Sequence, residues 1–364
     1  MKRRAVLLAF GSAAAGPIWA AKAAAHAHSA QTYGRSENRE TRLAAAWDDE
    51  GQHRVGVLGV KDGRLRVNAQ LEVPTRAHGL WREHSGTVLA VARRPGDWLL
   101  RWRADGTALQ WAWSEPQRAL NGHVLASADG KLLYTTETDL ETGAGLLGVR
   151  DAATLEKQGE WPTHGTDPHE VVWGPQGGLW VANGGITTLP ESGRRKLALA
   201  SMDSSVVCLN PRNGTLTGQW RLADQRLSLR HLAWNGTTLG VALQAEHDDP
   251  QVRHAAPVLA VLRGDTLRAV PVPHALSGYG GDIAAVGDGF AVSCTRADSI
   301  TVWGAAGDWK ESLALPEACA LAEVPHGLMA AGRGRTLSLS QPAGVATQLV
   351  AVRLDNHWAC LADV

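Results

Sequence analysis

The sequence predicts an all-β fold, a seven-bladed β-propeller of the WD40/YVTN-like type, and three observations lead to it. Short apolar runs bounded by Gly, Asp, Asn or Pro recur along the chain, and no long apolar stripe of helical period interrupts them. The runs group into repeats of roughly 40–45 residues with four runs each, which is the period of a propeller blade. Three runs at the start of the chain and one at its end together complete a further blade.

Each repeat opens with a residue, polar in most cases, that leads directly into an apolar run. After His123, for example, the runs Lys131–Glu137, Leu146–Arg150 and Leu155–Trp161 supply the other three strands. We expect each opening residue to begin the innermost strand of a blade, so that the ring brings all of them to one end of the central channel. The opening residues are His78, His123, His169, His231, Asp282, Cys319 and His357.

The two ends of the chain predict how the ring closes. The first three strand-like runs, Leu43–Trp47, Arg54–Val60 and Leu65–Val73, have no opening strand before them. The last run, His357–Val364, has no partners after it. Pairing of this last strand with the N-terminal three hides the sheet edges that an open array exposes. The sequence therefore predicts one propeller domain over residues 31–364.

The first thirty residues have the pattern of a signal peptide. The basic residues Lys2, Arg3 and Arg4 precede an apolar run, Ala5–Ala15, which is too short to span a membrane. The arginine pair indicates the twin-arginine route, with ordinary Sec export as the alternative because no serine precedes the pair. We therefore expect residues 1–30 to be cleaved and the mature protein to be periplasmic, without a stable membrane anchor.

The charge balance and the cysteines exclude several classes of protein. Lys plus Arg and Asp plus Glu both number 36, and the mature chain has no basic block, which argues against a nucleic-acid partner. The cysteines have neither disulfide-framework nor metal-ligand spacing, so small buried hydrophobes are expected. Only Cys319 and Cys360 share a place in the repeat and could approach each other. The four cysteines are Cys208, Cys294, Cys319 and Cys360.

One face of the predicted disc combines two features that point to function. In a blade, the start of the first strand lies on the same face as the loop between the second and third strands. The long insertions Thr138–Ala144, Gly184–Met202 and Ala245–Ala256 fall in those loops. Long loops in a compact domain usually carry function. A ligand or a periplasmic protein partner is therefore expected to bind on this face.

The start of the innermost strands is rich in hydrogen-bonding side chains, which we take as candidate binding residues at the channel mouth. The five histidines among them are also candidate metal ligands. Three interpretations stay open: structural residues that tie neighbouring blades, a metal or anion site, or a site for a larger ligand or a protein. The candidates are Arg76, His78, Arg118, His123, Asp167, His169, Glu170, Asn183, Arg230, His231, Glu317, Asn356 and His357.

Known catalytic motifs do not occur in this sequence. It has no nucleophile elbow, HExxH, Walker A sequence, dinucleotide fingerprint or haem-attachment CxxCH. A binding protein is therefore favoured over an enzyme, no catalytic residue is assigned, and no cofactor is required, although a metal ion is allowed. The alternative is a metal-dependent hydrolase similar to lactonase-type propellers, or an accessory subunit of a redox enzyme.

Several short motifs carry a resemblance to a known family that extends over nearly all of the mature chain. They are Arg93-Arg94-Pro95-Gly96, Thr135–Asp139, Gly165–Glu170, Val181–Ile186, Ser228–Leu232 and Asp355-Asn356-His357. Together they resemble the DUF1513-type exported bacterial propellers of unknown function, which are often encoded beside imelysin-type iron-uptake proteins. The resemblance implies the fold, the compartment and a link to iron acquisition.

This chain departs from the family pattern at three positions. Ala119 and Leu189 stand where the family has histidine, and Ala198 stands where it commonly has asparagine. A site built by those groups in other members would be lost or remodelled here.

Overall fold

The computed structural model describes residues 40–61, 64–188, 196, 199–325, 327–333, 335–339, 346–348 and 352–363. They lie in one compact unit, Asn38–Val364. No helix in these ranges combines the length and apolar character that crossing a membrane requires. The predicted signal peptide, residues 1–30, lies outside the described residues, as do the departures at Leu189 and Ala198.

The strands form seven blades of four strands each, as predicted, and one parallel bridge between Gln348 and Arg64 joins the outermost strands of the sixth and seventh blades. In chain order, the strands before the first complete blade are β1 (Thr41–Asp49), β2 (Gln52–Lys61) and β3 (Arg64–Val73). Blade I consists of β4 (Ala77–Arg82), β5 (Val88–Ala92), β6 (Trp98–Trp102) and β7 (Ala108–Trp113). Blade II consists of β8 (Arg118–Ala126), β9 (Leu132–Asp139), β10 (Gly145–Asp151) and β11 (Lys157–Pro162). Blade III consists of β12 (Pro168–Trp173), β13 (Leu179–Asn183), β14 (Ser205–Leu209) and β15 (Leu216–Trp220).

The remaining blades follow the same order from the innermost strand outward. Blade IV consists of β16 (Leu227–Asn235), β17 (Thr238–Ala245), β18 (Leu259–Arg263) and β19 (Thr266–Ala269). Blade V consists of β20 (Asp282–Val286), β21 (Gly289–Cys294), β22 (Ser299–Gly304) and β23 (Trp309–Ala314). Blade VI consists of β24 (Leu321–Val324), β25 (Gly327–Gly332), β26 (Arg335–Ser338) and β27 (Ala346–Gln348).

The last strand closes the ring in the predicted way. Strand β28 (Arg353–Asp363) pairs antiparallel with β1, with Cys360 opposite Leu43 and Leu354 opposite Trp47. Blade VII is therefore β28, β1, β2 and β3, built from both ends of the chain. The strand begins four residues earlier than the predicted start at His357, at Arg353.

The pairing of the first and second strands of a blade shows which loops lie on the same face of the ring as the starts of the innermost strands. Arg118 at the start of β8 pairs with Asp139 at the end of β9, and Leu227 of β16 pairs with Ala245 of β17. The loops that follow β9, β13 and β17 therefore lie on this face, which we call the loop face. The third of these loops contains a short helix, α1 (Pro250–Ala255), capped by the side chain of Asp249. Residues 189–195 and 197–198 of the second loop lie outside the described part.

The hydrophobic core lies mainly between neighbouring blades. Trp98 and Trp102 of blade I, for example, are fully buried in one cluster with Ala44 and Val55 of blade VII. Complete burial of such side chains is the main favourable contribution to stability, about 1.5–3 kcal/mol for each large apolar residue. The ring is thus held together by interfaces that every blade shares with the next.

Two of the four cysteines are buried as predicted, Cys294 and Cys319, whereas Cys208 and Cys360 are half-buried. All four are free, and Cys319 and Cys360 pack in the same apolar region without a disulfide. Burial raises the pKa of the Cys294 and Cys319 thiols to about 12. Both thiols are therefore protonated at neutral pH and unsuited to metal binding or nucleophilic chemistry.

Candidate functional site

Five histidines from five innermost strands converge in the central channel. Their rings are buried, and nine pairs of rings have centroids 4.5–5.9 Å apart. They lie in the interior of the channel rather than at an open mouth. We call them the histidine cluster, which consists of His78, His123, His169, His231 and His357.

The Nε2 atoms of four of these rings form a chain of short contacts. The His78 and His169 Nε2 atoms are 3.3 Å apart, and those of His169 and His231 are 2.8 Å apart. The His231 and His357 Nε2 atoms are 3.1 Å apart. His123 joins the same centre, because His78, His123, His231 and His357 each offer one nitrogen within 4.8 Å of the others.

Every histidine of the cluster lies at a break in the pairing of the innermost strand. The skipped residues are 78–79, 121–123, 169, 230–231 and 355–357. Blades V and VI, which lack a histidine at this place, pair without a break between their first two strands. A β-bulge redirects a side chain from its usual alternation, so these bulges turn the imidazoles into the channel.

A glycine permits the close approach of β4 and β8, the innermost strands of blades I and II. Gly122 has a φ of +104°, and a Cβ atom there would lie 2.7 Å from the ring of His78. Any other residue at this position would combine backbone strain with a clash against the cluster. A glycine inside a strand pattern, directly before a histidine, is the sequence signal for this bulge.

Burial sets the protonation of most of the cluster. Burial is the main cause of the lowered pKa of four histidines, and neighbouring cationic side chains are the second cause. The four are His78, His123, His169 and His231. Burial also lowers the pKa of His357, but the Asp282 and Glu170 carboxylates outweigh it, so the pKa of His357 lies above its usual value. Four imidazoles are thus neutral at neutral pH, which is the form that binds metal ions.

Two carboxylates lie on the side of the cluster away from the loop face. Asp282 Oδ2 is 3.3 Å from Nδ1 of His357, and Glu170 Oε1 is 3.7 Å from Nδ1 of His123. Burial raises the pKa of Glu170 to about 8. Both residues also line a cavity of about 410 Å³ below the cluster. A carboxylate at Nδ1 orients a ring so that Nε2 can bind a metal.

The same carboxylates perform the blade-to-blade role that the sequence analysis considered for the histidines. Glu170 of blade III accepts the backbone N–H of Leu232 in blade IV, and Asp282 of blade V accepts that of Leu321 in blade VI. No ring nitrogen of the five cluster histidines bonds to a backbone carbonyl in the part of the chain described. The side-chain ties to the backbone of a neighbouring blade thus run through these two carboxylates, and the imidazole rings contact one another instead.

Buried ion pairs flank the cluster on the loop face. Asp167 binds both Arg230, with Nη1 to Oδ2 at 2.6 Å, and Arg94. Asp355 accepts from Arg93 at 2.8 Å and from Arg76 at 2.7 Å. The predicted residues Asp167, Arg230 and Arg76 thus lie in two groups of ion pairs. Their partners Arg93, Arg94 and Asp355 were not predicted as site residues.

Three predicted site residues lie away from the histidine cluster. Arg118 extends outward to Glu160 of the outermost strand, at 2.8 Å, because it begins β8 before the bulge turns the chain inward. Asn183 is buried and donates to the Thr163 carbonyl in the connection between blades II and III, away from the channel. Glu317 pairs with Arg333 and lines a separate cavity of about 710 Å³.

Asn356 keeps its predicted place near the cluster. It lines both the 710 Å³ cavity and a smaller cavity directly against the histidines.

Comparison with known proteins identifies the family. The model of DUF1513, described as a protein of unknown function, matches residues 71–361. The chain belongs to this family. No curated protein matches it. The fold of this DUF1513 member is similar to that of other propellers at low identity.

Three solved structures illustrate the likeness of this DUF1513 protein to other propellers. A putative 6-phosphogluconolactonase from Bacteroides fragilis has a TM-score of 0.61 at 14% identity, with 91% of this chain and 99% of that chain covered. Hydrazine synthase of Kuenenia stuttgartiensis has a TM-score of 0.58 at 13% identity, with 79% and 91% covered. A nidogen/laminin complex has a TM-score of 0.50 at 11% identity, with 89% and 98% covered. These similarities show the fold alone.

Proposed function

We propose that this propeller is a periplasmic binding protein for one first-row transition-metal ion, held in the channel by the histidine cluster. The observation that carries the proposal is the chain of three short Nε2–Nε2 contacts. A ring nitrogen has one in-plane position, which holds either a proton or a lone pair. Four such nitrogens can form two N–H···N hydrogen bonds among themselves, whereas three contacts lie at hydrogen-bond distance. An ion at the meeting point of the lone pairs accounts for all of them.

The distances and the chemistry of the donors support a transition metal. Nitrogen ligands around a tetrahedral ion, at metal–nitrogen distances of about 2.0–2.1 Å, are about 3.3 Å apart. The contacts of 2.8, 3.1 and 3.3 Å in the cluster are close to this spacing. Imidazole suits zinc, copper, iron and nickel rather than magnesium or calcium, which prefer oxygen. The Asp282 carboxylate lies beside the proposed cation site, and Glu170, whose pKa is raised to about 8, gains a negative charge there when it loses its proton on metal binding.

A role in iron acquisition is the most specific form of this proposal. It is supported by the histidine donors and by the resemblance to propellers encoded beside iron-uptake proteins. The signal-peptide pattern of residues 1–30 supports action in the periplasm. Iron(II) is therefore the first ion to compare with zinc.

Metal-dependent hydrolysis is the second candidate function, and one feature favours it. Glu170, with a pKa raised to about 8 by burial, lines the 410 Å³ cavity below the cluster beside His123. A carboxyl group that titrates near neutral pH can act as a general acid or base. An esterase and lactonase assay of the metal-loaded protein separates this function from simple binding.

The purified protein is first stripped of metal. Titration with zinc, or with iron(II) under anaerobic conditions, should then show one tight site per chain. Acidification from about pH 7.5 to about pH 6 should weaken binding about tenfold or more, because His357 and Glu170, the two groups of the site with raised pKa values, take up protons over this range. His357 and Glu170, whose pKa values are raised, should release protons on binding. Calorimetry in buffers of different ionisation enthalpy measures both the stoichiometry and the proton release. Affinity that stays constant or rises on acidification would contradict the proposal.

A further inference from the structure

A small cavity lies between the histidine cluster and the loop face. Its volume is about 140 Å³, and it is lined by His78, His169 and His231 together with side chains from the loop face. This volume corresponds to about four or five water molecules, since one water occupies about 30 Å³ in the liquid. The cavity therefore has room for a single small molecule rather than for a peptide or a protein segment.

The cavity is lined by cationic side chains from four different blades. Arg93 and Arg94 follow β5 in blade I, Arg230 lies on β16 in blade IV, and Arg296 follows β21 in blade V. Lys196 comes from the second long insertion, in blade III. Side chains so distant in sequence meet here only because the ring brings their loops together.

Carboxylates neutralise only part of this charge. Asp167 is shared between Arg94 and Arg230, Asp355 pairs with Arg93, and Glu246 pairs with Lys196. Five cationic residues line the cavity and three carboxylates pair with them, so two positive charges are in excess among the described residues. The five cations are Arg93, Arg94, Lys196, Arg230 and Arg296.

Arg296 supplies part of that excess. Its guanidinium lies over the ring of Tyr279, with Cζ 4.4 Å from the ring centre, and it pairs with no carboxylate in the described part of the chain. Tyr279 lines the cavity as well. The stacked ring holds the guanidinium in place and leaves its N–H donors free for a ligand.

The cavity is also bordered by buried imidazole and guanidinium nitrogens that lack partners. The Nδ1 atoms of His78, His169 and His231 have no hydrogen-bond partner, and neither has Nε of Arg230. These four residues all line the cavity. The other two cluster histidines, His123 and His357, lie on the opposite side, where Glu170 and Asp282 face their Nδ1 atoms. Buried polar atoms normally have partners, so the missing partners on this side point to a ligand.

We infer that this cavity binds one small dianion or trianion that carries carboxylate or phosphoryl oxygens. The ligand balances the excess positive charge and accepts hydrogen bonds from the guanidinium groups of Arg230 and Arg296, as arginine-rich sites do for such oxygens. Ten of its eleven lining residues are polar, since eight are Arg, Lys or His and two are the amides Gln244 and Asn356; Tyr279 is the eleventh. The lining therefore favours a small anion over a larger apolar ligand. This inference goes beyond the proposed function and does not require a bound metal.

Calorimetric titration of the metal-stripped protein with phosphate, oxalate and citrate, in chloride buffer of low ionic strength, tests the inference. At least one of these anions should bind with one-to-one stoichiometry and a Kd below about 1 mM. Binding of phosphate alone assigns phosphoryl ligands, and binding of oxalate or citrate assigns carboxylates. Because the metal is absent, failure of the metal proposal leaves this result unchanged.

Arg296→Gln gives the discriminating variant, because Arg296 is exposed and its replacement leaves the buried ion pairs intact. We expect about tenfold weaker anion binding, the usual effect of losing one charge-assisted hydrogen bond. Arg263→Gln is the matched control: Arg263 is also exposed but ends β18 on the opposite face, and its replacement should leave the affinity unchanged. The inference is overturned if the unsubstituted protein binds none of the three anions, or if both variants bind with equal affinity.

Discussion

Truncation after Val352 is expected to lower the melting temperature of the whole ring by more than about 10 °C, instead of fraying one end. The deletion removes β28, the innermost strand of blade VII, and leaves without partners the backbone groups of β1 that face it. It also removes Trp358 from the apolar cluster around Trp47. Asp355 is lost with it, and with Asp355 the ion pair to Arg93 that joins blade VII to blade I.

The measurement is a thermal melt in the presence of a chelator, so that loss of His357 does not affect the result through metal binding. A chain ending at Asp363, which retains all of β28, is the matched control and should melt like the full-length protein. If the chain ending at Val352 melted within about 2 °C of the intact protein, the closure of the ring by β28 would not be essential to its stability.

Replacement of His169 and His231 by alanine should weaken metal binding at least about a hundredfold, because it removes two of the converging nitrogens. The fold should persist, since the carboxylate ties from Glu170 to Leu232 and from Asp282 to Leu321 remain. Metal addition should raise the melting temperature of the unsubstituted protein by about 5–10 °C, as expected for a ligand well above its Kd. The double variant should lose this increase.

Two exposed histidines provide the control for that experiment. His84 and His254 lie outside the cluster, and their joint replacement by alanine should leave the metal-dependent increase in melting temperature unchanged. A double variant of His169 and His231 that melts at a lower temperature but still responds to metal as the unsubstituted protein does would assign these histidines a structural role.

The architecture could be predicted because it follows from local patterns that repeat. Alternation and turn residues define each strand, the repeat defines the blade, and the unmatched runs at the two ends define blade VII. The shared place of His78, His123 and His231 in the repeat was enough to bring them to one circle. Conclusions of this kind need only the position of a residue within its own blade.

The surroundings of the cluster could not be predicted, because they depend on contacts between blades. Whether Arg94 reaches Asp167, or Arg93 reaches Asp355, depends on loops whose course the repeat does not determine. Arg118 occupies a similar place in the repeat to Arg76, yet its distance from the bulge of β8 directs it to Glu160. The bulges themselves interrupt the alternation from which the strands were recognised.

The metal K-edge X-ray absorption spectrum of the zinc-loaded protein shows which atoms surround the ion. We expect a first shell of at least four nitrogens at about 2.0–2.1 Å, with the outer-shell scattering of imidazole rings. A first shell made mainly of oxygen, or one with fewer than about two imidazoles, would contradict the claim that the histidine cluster is a metal site.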